Sequence, residues 1–394
     1  MRYLPLGIIG VTLAATAYAE VVREVATEGE LVAAIQGAAP GTTIVVASGE
    51  YEGGLFFTEL HGTPTEFLGT PALPIRIMGA DTGNPPIFRG GTNGMQLSNI
   101  SHVVLQDLHF TGATGNGLNI DDGGTFDSPS HHVTLRRITV TDAGPEGNRD
   151  GIKLSGVQDF LVEDCVIEHW GDAGQGVDMV GCHRGRIMGC EIRHRADVHA
   201  AGIQAKGGSR DIVIRGNVIE GTARGINIGG STGLAFFRPE PQGYEAKDIV
   251  VEGNVFIRNH APVAFVGVEG AVVRYNTLYR PGRWAIRILQ ETREDGFVPS
   301  RNGVFTDNIV VFRSAEWAHG GVNIGPETAS ETFTFARNVW FCEDDADNSV
   351  PTLPTDETDG LVGVDPLLRD PAGGDFSIPP ESPALGRGHT GLPG

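Results

Sequence analysis

The sequence predicts an all-β fold, a right-handed parallel β-helix with a capping helix at its N-terminal end. A pattern of the form apolar–x–x–Asn–x–apolar recurs at intervals of about 22 to 37 residues, which is typical of a coiled solenoid. Each coil opens with a second short strand, often led by Gly, in which apolar and other residues alternate strictly. Residues 30–51 indicate an amphipathic helix, a turn at Pro40-Gly41 and a strand, which would cover the open end of the solenoid.

The repeated asparagine predicts an internal ladder. Asn tolerates the left-handed backbone of a tight bend, and its amide can bond to the same amide one coil away. The ladder position is filled first by Leu108 and Ile138, then by Cys165 and Cys190, and then by five asparagines, giving about nine coils between residues 94 and 342. The asparagines are Asn217, Asn254, Asn276, Asn308 and Asn338. Two cysteines stacked in adjacent coils leave a disulfide and a pair of buried free thiols both open.

The second strand of each coil predicts a row of outward-facing side chains. Because side chains alternate along a strand, the residue between two apolar positions faces solvent. The row comprises Asn119, Lys153, Asp178, Gln204, Asn227, Ala264, Arg287 and Asn323, with a parallel row that includes Ser155, Lys206 and Leu289. Unlike polar groups repeated at a strand spacing of about 4.8 Å are unusual for a merely solvated face. We therefore expect one exposed groove along this sheet.

Composition limits the possible partners. The formal net charge of −20 argues against nucleic acid and against an anionic membrane surface. It does not exclude an acidic polysaccharide, because a local cationic cleft can override the net field. An elongated strand-lined face suits such a polymer.

The chain divides into four segments. Residues 1–19 read as a signal peptide, with Arg2 at the charged start and a small-residue cleavage site near Ala19, so we expect a secreted or periplasmic protein. The apolar run is too short to span a bilayer, and we expect a monomer without membrane insertion. Residues 20–93 would form the cap and first coils, 94–342 the β-helix core, and 343–394 an exposed acidic loop and a closing segment.

Three segments carry a family resemblance. The stretch PGTTIVVASGEY resembles the N-terminal entry of the pectin-lyase-like right-handed β-helix superfamily, and the tail from residue 364 looks like its closing segment. The stretch GTPALPIRIMGA at 69–80 is similar to a segment of the chondroitinase-B and alginate-lyase family. The resemblance implies a secreted, polysaccharide-active β-helix.

Two segments around Asp150, Asp172 and Asp178 are similar to calcium-binding segments of a pectate-lyase family with a lysine base. The resemblance implies Ca²⁺ held by these three carboxylates, since Ca²⁺ takes hard oxygen ligands. A plain surface ion pair between Lys153 and Asp178 is the alternative.

Lys206 lies at the exit of the strand one coil beyond Asp178. In the families that the chain resembles, a lysine at a strand exit removes the proton from sugar C5. A lysine must first lose its own proton, which nearby cations favour, and Arg224 and Arg210 are candidates for that role. His199, just before the same strand, is a candidate proton shuttle. The alternative is an exposed lysine on a turn.

Two further segments predict substrate contacts. Residues 229–239 form a long insertion that could wall a cleft, with Arg238 reaching a carboxylate and Phe236 and Phe237 packing beneath it. Trp284 and Arg287 begin a later strand, where an aromatic face could stack on a sugar and an arginine could bind its carboxylate. Gln204, Asn227 and Lys153 would complete the binding face.

These observations favour a polysaccharide lyase that acts by β-elimination on a uronate-containing polymer. In such a reaction a cation, either Ca²⁺ or arginine, neutralises the uronate carboxylate while Lys206 takes the C5 proton. Two other functions stay open: a glycoside hydrolase using paired Asp residues, and a non-catalytic glycan-binding solenoid.

Overall fold

The computed structural model describes residues 20–62, 73–127, 129–195 and 199–392. The predicted signal peptide at 1–19 lies outside the described residues, as does part of the 69–80 segment.

The described residues form three parallel sheets that run the length of a right-handed β-helix, as predicted. The fourteen-stranded sheet comprises Val21–Val25, Thr42–Val46, Ile75–Gly79, Ser101–Gln106, Ser130–Arg136, Val157–Gln158, Leu161–Glu163, Arg186–Met188, Ser209–Arg215, Ala246–Glu252, Val268–Arg274, Arg301–Thr306, Thr334–Ala336 and Glu357–Thr358. The twelve-stranded sheet comprises Glu50–Glu52, Ile87–Arg89, His109–Thr111, Thr139–Thr141, Val166–Glu168, Glu191–Arg193, Val218–Glu220, Val255–Ile257, Thr277–Tyr279, Ile309–Phe312, Val339–Cys342 and Leu361–Val362. The ten-stranded sheet comprises Leu55–Thr58, Met95–Ser98, Leu118–Asp121, Ile152–Ser155, Gln175–Val180, Ala201–Lys206, Arg224–Gly229, Ala261–Val266, Ile286–Leu289 and Val322–Ile324.

Helical segments are short and lie in the connections between strands or after the last strand. The α-helix Glu28–Gln36 begins at a capping box in which Thr27 and Glu30 satisfy each other's backbone N–H groups. Its buried residues Leu31 and Ile35 join the core at the N-terminal end, which confirms the predicted cap. Single turns of 3₁₀-helix are Leu234–Phe236, Ser314–Glu316, His319–Gly321, Ser330–Thr332, Ala346–Asn348 and His389–Gly391. No helix in the described parts of the chain is long and apolar enough to cross a bilayer.

The five asparagines form one continuous ladder. All are fully buried, and each of the first four donates from Nδ2 to Oδ1 of the next asparagine at 2.9 or 3.0 Å. The Nδ2 group of Asn276 also donates to the carbonyls of Val251 and Arg274. The ladder therefore satisfies the backbone groups that a sharp corner would otherwise leave buried without partners.

The left-handed residue lies immediately before the ladder position. Tyr275 and Asp307 have φ values of 54° and 57°, whereas Asn276 and Asn308, which follow them, do not. The expectation that asparagine itself adopts the left-handed conformation is therefore wrong. Asparagine is needed at this corner for its hydrogen bonds.

Both ends of the ladder have partners. At the start, the backbone N–H of Cys190 donates to Asn217 Oδ1 at 2.9 Å, and Cys165 and Cys190 are buried free thiols. At the far end, Glu357 accepts from Asn338 Nδ2 and from Trp340 Nε1. The expectation that the acidic stretch after residue 342 is an exposed loop is therefore wrong at Glu357, which lies in a paired strand and closes the ladder.

Replacement of Asn276 by Leu tests the ladder. Leu has a similar branched shape but leaves Asn254, Asn308 and two carbonyls without their partner, so the free energy of unfolding should fall by roughly 1–3 kcal/mol. Urea unfolding followed by circular dichroism measures the change. Asn84→Leu, at an exposed turn, is the control, and equal stability of the two variants would contradict the ladder's role.

Candidate functional site

The predicted outward row is in register on the ten-stranded sheet. Lys153 pairs with Asp178, Asp178 with Gln204, and Gln204 with Asn227. The row continues through Ala264, Arg287 and Asn323. Parallel pairing in register therefore places these side chains beside one another on one outer face of the solenoid.

The middle of this face is covered. Asp178 is 0% exposed, Gln204 5% and Asn227 6%, so the expectation of an exposed groove is wrong for these three residues. The side chains of Lys153 and Lys206 remain 20% and 15% exposed. In the middle of this face, the side chains that reach solvent are therefore mainly the two lysines, and the polar groups beside them are buried.

Asp178 lies between the two lysine side chains. Lys153 Nζ donates to Asp178 Oδ2, and Lys206 Nζ lies 3.4 Å from Oδ1 but outside hydrogen-bond geometry. Lys206 Nζ also lies 3.5 Å from Gln204 Oε1. A fully buried carboxylate is costly unless paired, and here two ammonium groups offset its charge.

Asp150 extends this cluster by one more carboxylate. Its Oδ2 lies 3.5 Å from Lys153 Nζ, and its Oδ1 accepts the backbone N–H of Gln175 at 2.9 Å. Burial, and next the charge of Asp178, raise the pKa of Asp150 to about 6. Burial lowers the pKa of Lys153, but Asp178 and Asp150 outweigh it and hold that pKa above its ordinary value. Lys153 is therefore a cation at neutral pH.

Lysine is rare in this chain, which makes the cluster specific. The sequence has three lysines among its 29 basic Lys and Arg residues, namely Lys153, Lys206 and Lys247. Two of the three meet at one buried carboxylate. This scarcity is a signal that the sequence already carried, because every other basic position uses arginine.

The two lysines line a pocket of about 430 Å³. One wall is strand residues Ser155 and Val180, and the other belongs to the insertion that follows strand Arg224–Gly229. The residues from the insertion are Ser231, Thr232, Gly233, Phe236 and Arg238, and Asn148 completes the lining. We call this the lysine pocket.

Arg238 and Glu245 anchor the insertion. Arg238 Nε donates at 2.8 Å to Asp122 Oδ2, which lies 116 residues earlier in the chain. Glu245 is fully buried and accepts from the backbone N–H groups of Gly207 and Thr232. Asp122 and Glu245 fix the wall of the pocket, and neither was identified from the sequence.

The two phenylalanines of the insertion have different environments. Phe237 is buried and contacts the ring of Phe297, with centroids 5.4 Å apart, whereas Phe236 is 64% exposed and lines the lysine pocket. The expectation that both pack beneath Arg238 is therefore wrong. An exposed aromatic ring on the pocket wall can contact the apolar face of a sugar.

A second cationic group lies further along the same sheet. The guanidinium carbons of Arg283 and Arg287 lie 4.4 and 4.8 Å from the Trp284 ring centroid, and Arg287 Nε donates to Asn323. Burial, and next the charge of Arg224, lower the pKa of Arg287. We call Arg224, Arg283, Trp284 and Arg287 the arginine–tryptophan cluster. Because guanidinium groups lie over the indole, the cluster offers positive charge rather than the free aromatic face expected.

Buried polar atoms without partners lie in and beside this cluster. Arg224 Nε, Trp284 Nε1 and Asn227 Oδ1 have no hydrogen-bond partner among the described residues. Such groups are rare in native proteins, and a polar ligand bound here would give them hydrogen-bond partners.

Three predicted residues are not in the lysine pocket. Arg224 belongs to the arginine–tryptophan cluster, and Arg210 pairs with Asp211 on the fourteen-stranded sheet, so neither lines the lysine pocket. His199 is exposed on a turn, where its backbone N–H donates to the carbonyl of Asp172. The proton-shuttle assignment of His199 stays a prediction.

The predicted three-carboxylate calcium site is not assembled. Asp172 is exposed, and its Oδ1 accepts the backbone N–H of Gly147 at 2.7 Å, apart from the other two carboxylates. The ammonium group of Lys153 lies between Asp150 and Asp178, where a bound cation would have to lie. These residues therefore do not fit Ca²⁺, and the alternative of a Lys153–Asp178 ion pair is confirmed, although the pair is largely buried.

The fold and the pocket together define a right-handed parallel β-helix protein with cationic side chains over one sheet. Residues 126–293 match a family model described as a right handed beta helix region. An alginate lyase from Paenibacillus sp. str. FPU-7 is similar with a TM-score of 0.54 at 20% identity, covering 77% of this chain and 99% of that chain.

Two further solved structures have the same TM-score of 0.54. Pectate lyase Pel9A is 14% identical, over 93% of this chain and 91% of that chain. A rhamnogalacturonan lyase is 13% identical, over 78% of this chain and 82% of that chain. A search of curated sequences finds no significant match. The resemblance drawn from the sequence is thus confirmed at the level of the fold.

The raised pKa of Asp150 predicts a pH dependence of stability. Its pKa of about 6 exceeds the ordinary value of 3.8, so the folded state holds this proton more tightly than the unfolded state. The contribution of Asp150 to stability is therefore greatest below about pH 4 and falls, by on the order of 1–3 kcal/mol, as pH rises to 7. In Asp150→Asn, the melting temperature relative to the wild type should rise between pH 4 and pH 7.

Asp172→Asn, at the exposed turn one coil away, is the matched control. Calorimetry of both variants and the wild type over this pH range measures the effect. An equal rise in relative melting temperature in the two variants, or no rise in Asp150→Asn, would contradict the raised pKa of Asp150.

Proposed function

We propose that this protein is an exported lyase that cleaves a uronate-containing polysaccharide by β-elimination. The observation that carries the proposal is the pair of lysine side chains that meet at buried Asp178 and line one pocket. Similarity to solved structures of alginate, pectate and rhamnogalacturonan lyases is consistent with it but supports only the fold.

The charge of the pocket favours an anionic sugar. Although the chain carries a net charge of −20, the partly exposed charged groups that line the pocket are Lys153, Lys206 and Arg238. Their carboxylate partners Asp178 and Asp122 are 0% and 1% exposed. A uronate carboxylate entering the pocket therefore meets the ammonium groups before it meets the buried negative charges.

The two lysines have different environments and, we infer, different roles. Lys153 is bound to Asp178 and lies near Asp150, and it stays protonated because these carboxylates raise its pKa. Among the described residues, Lys206 forms an ion pair with a single carboxylate, at 3.4 Å and outside hydrogen-bond geometry. Lys153 is thus suited to neutralise the substrate carboxylate, and Lys206 to act as the base.

The reaction follows from these two roles. Neutralisation of the uronate carboxylate by Lys153 stabilises the negative charge that develops when C5 loses its proton. Lys206, once it has lost its own proton, takes the C5 proton and becomes an ammonium group again. The C4–O bond then breaks with its electron pair on oxygen, a double bond forms between C4 and C5, and the departing oxygen takes up a proton. The products are an unsaturated sugar and a new chain end.

Burial argues against hydrolysis by the same aspartates. An inverting or retaining glycosidase needs two carboxyl groups that flank the scissile bond. Asp178 and Asp150 are 0% and 3% exposed, and both lie against lysine side chains. Neither is placed to touch a polymer in the pocket, whereas both lysine side chains reach solvent.

Replacement of Lys206 tests the proposal. Lys206→Ala should reduce formation of unsaturated product by at least about a hundredfold, because general base catalysis contributes 10²–10⁴-fold. Lys206→Arg should fail equally, since a guanidinium group cannot give up its proton at working pH. Wild-type activity should rise with pH. Ultraviolet absorbance of the unsaturated product, on alginate, pectate and other uronate polymers, provides the assay.

Lys247→Ala is the matched control, because Lys247 lies over the Tyr244 ring on the fourteen-stranded sheet. It should keep full activity, and a calcium chelator should leave the wild type active. New reducing ends without unsaturated product would show that the protein is a hydrolase and not a lyase. Binding of polymer without any cleavage would show that the protein is a non-catalytic glycan-binding solenoid.

The arginine–tryptophan cluster should contribute substrate affinity. Arg287→Ala removes a half-buried cation beside unpartnered polar groups, and it should raise KM about tenfold, or ~1.4 kcal/mol, with little change in kcat. Arg89→Ala, at an exposed ion pair with Glu50, is the control. A loss confined to kcat in Arg287→Ala would contradict a binding role. Steady-state kinetics on the polymer cleaved by the wild type separates the two constants.

A further inference from the structure

Three histidines meet outside the ten-stranded sheet. His102 lies in strand Ser101–Gln106, and His131 and His132 lie in the adjacent strand Ser130–Arg136 of the fourteen-stranded sheet. In the pairing register, His131 lies opposite Ser101 and Val133 opposite Val103, so His132 lies opposite His102 one coil further on. Among the described residues, this is the one group of three metal-ligating side chains whose ligand atoms lie within 4.8 Å of one another.

The backbone holds the imidazoles in this arrangement. His102 and His132 both have left-handed φ values, 53° and 54°, at the same bulge of successive coils. Their rings stack with centroids 4.5 Å apart, and the His131 ring stands perpendicular to both. The Nδ1 atoms of His131 and His132 are 2.8 Å apart. Two such nitrogens either share one proton in a hydrogen bond or bind one ion between them.

The charged neighbours of the cluster form hydrogen bonds with other residues. At the same bulge of the next coil, Asp159 accepts two hydrogen bonds from Arg184, at 2.7 and 2.8 Å. His61, on the other side, bonds to Ser101 and Glu59. The three imidazoles therefore face one another without an ion pair to a carboxylate among the described residues.

We propose that His102, His131 and His132 bind one divalent transition metal ion of the zinc class, which bridges two adjacent coils. Imidazole nitrogen suits Zn²⁺, Cu²⁺ and Ni²⁺, whereas Ca²⁺ and Mg²⁺ prefer oxygen. Three histidines and a water complete the tetrahedral set common for Zn²⁺. None of the three lines the lysine pocket. The site would thus act as a clamp between coils, independent of the proposed lyase reaction.

Zinc titration of the full-length mature protein, freed of metal by a chelator and dialysis, tests the proposal. Calorimetry should give one equivalent bound by the wild type, and Zn²⁺ should raise its melting temperature. His132→Asn should bind at least tenfold more weakly and lose the thermal shift. His132 is exposed and Asn tolerates the left-handed backbone, so this variant should fold as the wild type does.

His169→Asn is the matched control. His169 is also exposed and left-handed, with a φ of 55°, but it lies outside the cluster. It should bind Zn²⁺ as the wild type does. The proposal would be overturned if the wild type does not bind Zn²⁺, or if His132→Asn binds it as tightly as the wild type. It would also be overturned if the two variants weaken Zn²⁺ binding equally.

Discussion

Pairing in register between successive coils is the constraint on which the rest of this structure depends. Because each strand pairs with its counterpart one coil away, a side chain at one position of a coil lies directly beside its equivalent in the next. The asparagine ladder enforces this register at one corner, since each amide bonds to the next amide and to backbone groups of both coils. A slip of one residue would turn every inward side chain outward and break the ladder as well.

The same register also places charged and polar side chains directly beside one another on the outer face. Lys153, Asp178 and Gln204 occupy one position in three consecutive coils, so an ammonium group, a carboxylate and an amide are forced together. The carboxylate is fully buried, and it is tolerable only because Lys153 and Lys206 approach it from two sides. The charged groups on this face are therefore brought together by repetition of one backbone position in successive coils.

The insertion after strand Arg224–Gly229 turns this face into a pocket. It covers the middle of the sheet, and two acidic residues hold it, Asp122 through Arg238 and Glu245 through backbone N–H groups. The negative charges are buried within the protein while the ammonium groups stay at the surface of the pocket. A chain with a net charge of −20 can thus present a cationic site to an anionic polymer.

The sequence by itself determined the coil, the ladder and the membership of the outer row, because contacts between neighbouring coils repeat with the chain and leave a periodic pattern. Asn276, Lys153 and Asp178 were each placed correctly for that reason. Only the tertiary structure decided how deeply Asp178 is buried, that Arg238 reaches Asp122 across 116 residues, and that Asp172, His199 and Arg224 lie away from the lysine pocket. These outcomes depend on turns and on one insertion, whose paths follow no period. The histidine cluster lies between the two cases: the left-handed position recurs in successive coils, at His102, His132 and Asp159, but the residue type at that position varies along the chain.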